Sequence, residues 1–132
     1  MLVSTKGRYA LSVMIELARK FDEGYIPLKD IANRQNLSLK YLEAIFKPLI
    51  KAGFIEGQRG KFGGFKLKKN PSEISVYSIV VLAEHGLKSV AINASDENLR
   101  KEEKDTLWIW NELDELIVSY LKSISLESIA QK

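Results

Sequence analysis

A chain of 132 residues, 45% hydrophobic, can bury one domain core, or a small domain plus an oligomerisation element, but not two catalytic domains. It has no cysteine and a single histidine, His85, which excludes disulfides, thiolate nucleophiles and cysteine-ligated zinc or iron-sulfur centres. The net charge of +3 is unevenly spread: residues 1–70 hold 14 Lys and Arg against 6 Asp and Glu, a balance of +8, and residues 71–132 carry −5.

A polyanion suits the first half and not the second, the alternative being a chance distribution of solvated charge. A histidine-based metal site or a Ser-His-Asp triad has almost no material here. No 18-residue apolar run could cross a membrane, and Met1-Leu2-Val3-Ser4-Thr5-Lys6 lacks the apolar stretch of a signal peptide, so the expected location is the cytoplasm.

From Gly7 to about Phe21, the apolar Tyr9, Val13, Met14, Leu17 and Phe21 recur at helical spacing and predict a first amphipathic helix, stopped by Asp22-Glu23-Gly24. Pro27 suits the first turn of a second helix, where its missing N–H costs nothing, and Leu28, Ile31 and Ala32 give that helix a buried face up to Gln35-Asn36. Ser38 is placed to cap a third helix, Leu39 to Lys51, with Leu42, Ile45, Phe46, Leu49 and Ile50 on one stripe. Lys40, Glu43, Lys47 and Lys51 lie elsewhere on it. Pro48 is expected to kink its last turn and Gly53 to end it. Two short helices joined by about four residues outline a helix-turn-helix.

Two strand-like runs, Phe54 to Gln58 and Phe65 to Lys68, flank Arg59-Gly60-Lys61-Phe62-Gly63-Gly64 and read as a β-hairpin, or wing. Pro71 marks the exit, Ser75 can cap a fourth helix running to about His85, and Gly86 can end it. Residues 87–98 have no clear period and read as a loop. Beyond them Leu107, Trp110, Leu113, Leu116, Ile117, Tyr120, Leu121 and Ile124 follow one helical stripe through about 25 residues, which at about 1.5 Å each outreach the body they decorate. Such a stripe is left bare on a monomer, so a homodimer is expected through Leu107, Trp110, Leu113, Ile117, Tyr120, Leu121 and Ile124.

The expected architecture is mostly α with a small β-hairpin wing: a winged helix-turn-helix over residues 1–86, a loop over 87–98, and a dimerisation helix with a C-terminal tail over 99–132. In a helix-turn-helix the start of the second helix faces base edges, which here means Ser38, Lys40, Tyr41, Glu43 and Ala44, with Lys47 one turn on. Hydroxyls and ammonium groups reach phosphates or bases, and Glu43 can accept from a cytosine amino group. Each residue alone also has a plainer reading: Ser38 as a cap only, Tyr41 as packing, the lysines as solvated surface.

Residues 58–69 hold Arg59, Lys61, Lys66, Lys68 and Lys69 and no acid. Gly60, Gly63 and Gly64 let backbone approach a groove, and Arg59 suits a narrow minor groove. The pattern argues against a nucleotide loop, because the Gly-Lys-Ser/Thr ending and the strand-to-helix turn are both missing. Lys6, Arg8, Lys40, Lys47, Lys61 and Lys66 are candidate phosphate contacts. His85 reads as a surface or satisfied histidine before a sensor. Trp108 and Trp110 cannot share one side of a helix, so one is expected in the dimer seam and the other in a pocket or under the body. Glu102, Glu103 and Asp105 fit a helix dipole better than a metal site.

With these residues in view the chain resembles the Rrf2 family of bacterial regulators over nearly its whole length. The resemblance rests on Ser4-Thr5-Lys6-Gly7-Arg8-Tyr9-Ala10, Ile26-Pro27-Leu28-Lys29-Asp30-Ile31-Ala32, Ser38-Leu39-Lys40-Tyr41-Leu42-Glu43, Lys51-Ala52-Gly53-Phe54-Ile55 and Arg59-Gly60-Lys61-Phe62-Gly63-Gly64-Phe65. It implies a winged helix-turn-helix dimer whose long C-terminal helices cross, with the recognition helix in the major groove and Arg59-Gly60 in the minor groove. Many members hold an iron-sulfur cluster on three cysteines in the loop before the long helix. Here Leu87 to Asp105 has none, and Glu102 and Asp105 stand near where the last cysteine and a histidine would fall. The likeness is therefore to cluster-free members, some similar to a regulator of cysteine metabolism that responds through a partner enzyme, cysteine synthase.

The function expected is a homodimeric regulator that binds a roughly palindromic operator in double-stranded DNA and represses, with no cofactor and with cysteine synthase as a candidate protein partner. A winged-helix interaction module without intrinsic DNA specificity is the rival, and a metal enzyme built on the carboxylates of residues 102–105 is a weaker one. The residues identify no small effector; residues 87–98 are the segment expected to respond to one.

Overall fold

Three serines set the starts of three helices. In a computed structural model that describes residues 3–84, 86–90 and 97–131, the Ser4 hydroxyl accepts from the Gly7 N–H at 3.0 Å and α1 runs Thr5–Arg19, two residues ahead of its expected start. Ser38 caps α3, Leu39–Lys51, and Ser75 caps α4, Val76–Glu84, each through the N–H three residues on at 3.1 Å. Pro27 lies just outside α2, Leu28–Gln35, as its capping residue rather than in its first turn. Asn36 ends α2 in the left-handed conformation (φ 55), which asparagine tolerates.

α3 runs unbroken through Pro48. The hydrogen bond Pro48 forgoes would have gone to the Ala44 carbonyl, on an exposed residue where water can replace it. Leu42, Ile45, Phe46 and Leu49 are buried, whereas Ile50, expected on the same stripe, is 43% exposed.

β1, Ile55–Gln58, pairs antiparallel with β2, Gly64–Leu67, Ile55 opposite Leu67 and Gln58 opposite Gly64. Ile26 adds a third rung, exchanging two backbone hydrogen bonds of 2.8 Å with Phe65 and tying the base of the wing to the α1–α2 connection. Gly64 (φ 149) permits this approach, since a Cβ there would run into the Ile26 backbone. Behind the sheet, Phe65 stands against Phe46 with ring centroids 4.8 Å apart. The core gathers Val13, Met14, Leu17, Ile31, Leu42, Phe46, Ile55 and Ile79 from the helices and the wing.

The single C-terminal helix expected from the stripe is instead three: α5, Lys101–Asp105; α6, Leu107–Lys122; and α7, Leu126–Ala130. The breaks fall on hydroxyl residues whose side chains compete for backbone groups. The Thr106 hydroxyl donates to the Glu103 carbonyl at 2.8 Å, the Ser123 hydroxyl to the Tyr120 carbonyl at 2.6 Å, and Ser125 caps α7. Ile124 therefore lies in a connection and not on the long helix. There the chain pairs back onto the winged body: Val76 N–H donates to Ile124 at 2.9 Å and Leu126 N–H to Ile74 at 2.7 Å. α7 docks on α1 with Leu126 fully buried, so the expected tail is part of the core. Among the described residues no helix is long and apolar enough to cross a membrane.

Candidate nucleic-acid interface

The core stripe of α3 leaves its other side to solvent. Lys40, Glu43, Ala44 and Lys47, three to four residues apart, are exposed on that side, with Ser38 at its start. Ser38 accepts from Tyr41 N–H, so its own O–H remains a donor. Tyr41 is half-buried, its ring edge-on to that of Tyr9 on α1. Among the described residues no ion pair joins Lys40, Glu43, Lys47, Arg59 or Lys61 to another side chain. An open groove of about 370 Å³, lined by Glu43, Phe46, Lys47, Ile50, Lys51 and Phe65, separates α3 from the wing.

At the wing tip the Gly63 N–H donates to the Gly60 carbonyl at 3.0 Å, closing a turn with Lys61 and Phe62 at its corners. Arg59, Gly60 and Lys61 are exposed. Lys66, a candidate phosphate contact, has its ammonium 3.6 Å from the Glu56 carboxylate and 4.6 Å from the centre of the Tyr25 ring. Arg8 is exposed, its guanidinium 3.4 Å from the Thr5 hydroxyl, while Lys6 is half-buried and lays its stem against a small crevice with Ile45, Leu49 and Ile79. Sequence reasoning missed Phe62 as a surface feature. The only signal was an aromatic among turn glycines.

α6 contains no buried residue. Leu107, Trp110, Ile117 and Leu121 are half-buried beside α4, whereas Ile109, Leu113, Leu116 and Tyr120 form an exposed apolar row at helical spacing, with Trp108 also exposed. The tryptophans thus part as their spacing requires. Asp114 on α6 accepts from the Ser89 N–H at 2.7 Å, fastening the start of the 87–98 loop. His85, and residues 91–96 of the loop expected to respond to an effector, lie outside the described residues. Glu103 pairs with Arg100 at 2.9 Å. Among the described residues no three acidic or imidazole side chains stand close enough to share a metal ion.

A capped helix presenting unpaired polar side chains, set behind a basic two-stranded wing, defines a winged helix-turn-helix protein. The chain matches the Rrf2 family, described as an iron-dependent transcriptional regulator, over residues 3–132, and it belongs to that family. It is 37% identical over 130 residues to the HTH-type transcriptional regulator CymR of Bacillus subtilis, covering 98% of this chain and 90% of that one. It is 35% identical to the HTH-type transcriptional regulator IscR of Photorhabdus laumondii, covering 98% and 79%. The solved structure of CymR, the global cysteine regulator of B. subtilis, superposes with a TM-score of 0.82 over 99% of this chain and 97% of that one, at 37% identity. The oxidized form of Staphylococcus aureus CymR gives 0.78 at 38% identity over 100% and 98%.

The chain is accordingly a DNA-binding transcription regulator and not an enzyme. The iron in the family description does not fit a cysteine-ligated cluster in this member, because the chain supplies no thiolate.

Proposed function

We propose that this regulator binds a roughly palindromic operator as a homodimer and represses from it, with residues 1–86 as the DNA-binding unit, 87–98 as a signal-linked loop and 99–132 as the dimerisation unit. The observation that carries this reading is the exposed face formed by Ser38, Lys40, Glu43 and Lys47 beside a wing whose Arg59 and Lys61 have no ion pair among the described residues. Glu43 and Tyr41 read base edges in the major groove, Arg59-Gly60 enters the minor groove, and Lys6, Arg8, Lys40, Lys47 and Lys61 neutralise phosphates. The exposed row Ile109, Leu113, Leu116 and Tyr120 supports a second copy seated on α6, alongside Leu107, Trp110, Ile117 and Leu121. The protein would act where bacterial DNA lies, in the cytoplasm. Kinship with a cysteine regulator supports a signal tied to cysteine supply and makes cysteine synthase the protein partner to try first.

Selection of bound sequences from random duplex DNA, followed by titration of the winner at two salt concentrations, tests the proposal. An inverted repeat whose affinity falls steeply with salt is the expected result. A single half-site, or no sequence preference, would reject the dimeric operator reading.

A further inference from the structure

Phe62 is 81% exposed, more than any other large apolar side chain among the described residues. Its position is defined by the backbone: the Gly63 N–H to Gly60 carbonyl bond closes the turn, Gly60 holds a positive φ of 108, and a Cβ on Gly63 would strike the Gln58 carbonyl. Lys61 and Phe62 occupy the two corners, the points farthest from the sheet. The Lys61 ammonium stands 5.7 Å from the ring centre, a contact in open solvent too weak to hold the ring against a competing apolar surface. A phenylalanine presented this way has apolar area to bury and nothing among the described residues of its own chain to bury it against.

We infer that Phe62 is a minor-groove wedge whose ring inserts partway between the base pairs of a pyrimidine–purine step at the edge of each half-site. This rests on the operator binding proposed above. Proteins that enter the minor groove open such steps with apolar side chains, and pyrimidine–purine steps are the easiest to unstack. The tip is narrow, only two residues wide at its corners. Residues 58–69 carry five cations and no acid, so the ring is delivered by a segment drawn to the groove. Arg59 and Lys61 flank the ring, Arg59 following it into the groove and Lys61 neutralising a phosphate at its edge. An anionic membrane surface also accepts an aromatic beside cations, and it is made an outcome of the test.

The full chain is titrated against its selected operator carrying either a TA or a GG step under the wing, as wild type, Phe62→Ala and Phe62→Leu. Permanganate reactivity reports unstacked thymines. The wedge predicts a reactive flank thymine with the wild type, its loss with Phe62→Ala, and a tenfold to hundredfold weaker affinity confined mainly to the TA-flanked duplex, with Phe62→Leu intermediate. Unchanged thermal unfolding, expected for so exposed a residue, shows that the variant folds. Equal loss on both duplexes without a change in reactivity, or no loss at all, overturns the wedge while leaving operator binding intact. Phe62-dependent binding to vesicles of anionic phospholipid with no effect on DNA overturns it too. A wild type that binds no duplex removes the operator reading and the wedge together.

Discussion

The ring of Tyr9 stands edge-on to the ring of Tyr41, centroids 6.1 Å apart and planes at 85°. α1 thus holds the first turn of α3 through an aromatic pair, so that in the proposed complex the Tyr41 ring positions and its hydroxyl contacts DNA. Tyr41→Phe is expected to unfold within ~2 °C of the wild type while binding the operator about fivefold more weakly, and Tyr41→Ala to lose about 1–2 kcal/mol of stability as well. Gel-shift titration beside thermal unfolding checks both; Tyr41→Phe binding as tightly as the wild type would confine Tyr41 to packing.

Two lysines near the interface differ in what already surrounds them. Lys47 has no ion pair among the described residues, whereas Lys66 faces Glu56 and the Tyr25 ring. Lys47→Ala should lower the slope of log affinity against log salt by about 1 per protomer. Lys66→Ala should change it by much less. A steeper loss with Lys66→Ala would mean that the Glu56 pair opens on DNA.

Arg59 is exposed beside the tip turn, and in the proposed complex it enters the narrow minor groove of A·T-rich DNA, where the potential is most negative. Arg59→Ala should weaken binding more on an A·T-rich flank than on a G·C-rich one. Equal loss on both would make Arg59 a plain phosphate contact.

Leu116 is 63% exposed at the middle of the α6 row. Leu116→Glu is expected to shift sedimentation from dimer to monomer without lowering the thermal midpoint of the winged body. A variant that remains dimeric would move the dimer seam off this row.

Leu126 is fully buried on α7. Leu126→Ala should cost about 2–5 kcal/mol of unfolding free energy, the range for emptying a buried leucine site. A loss below about 1 kcal/mol, read from denaturant unfolding, would show that α7 contributes little to the core.

Where a helix or strand is set by residues next to it in sequence, it was legible before the structure. Ser38 and Ser75 each cap a helix through a bond three residues away, as expected, whereas the Ser4 cap starts α1 two residues ahead of the periodic stripe. The C-terminal region was read less well, because the apolar stripe runs on through Thr106 and Ser123 while their hydroxyls take the backbone carbonyls that end each helix. Leu126 could not be placed from its neighbours, since its partners lie on α1 and at Ile74. Of the candidate site, the polar face of α3 follows directly from its core stripe. The neighbours of Lys66 and the exposure of Phe62 depend on Glu56, Tyr25 and a turn whose shape no periodicity encodes.

α6 packs beside α4 and is held further by Asp114 on Ser89 in the loop that follows α4 and, just past its own end, by the pairing of the chain at Ile124 and Leu126 with Ile74 and Val76. In the proposed dimer each body therefore moves with its own α6, like one leg of a caliper pivoting where the two helices cross. The jaws are the two α3 helices, which must open to about 34–36 Å, one turn of the duplex, to take both half-sites. In that dimer a signal that loosened these contacts would reset the gap without touching a residue proposed to meet DNA.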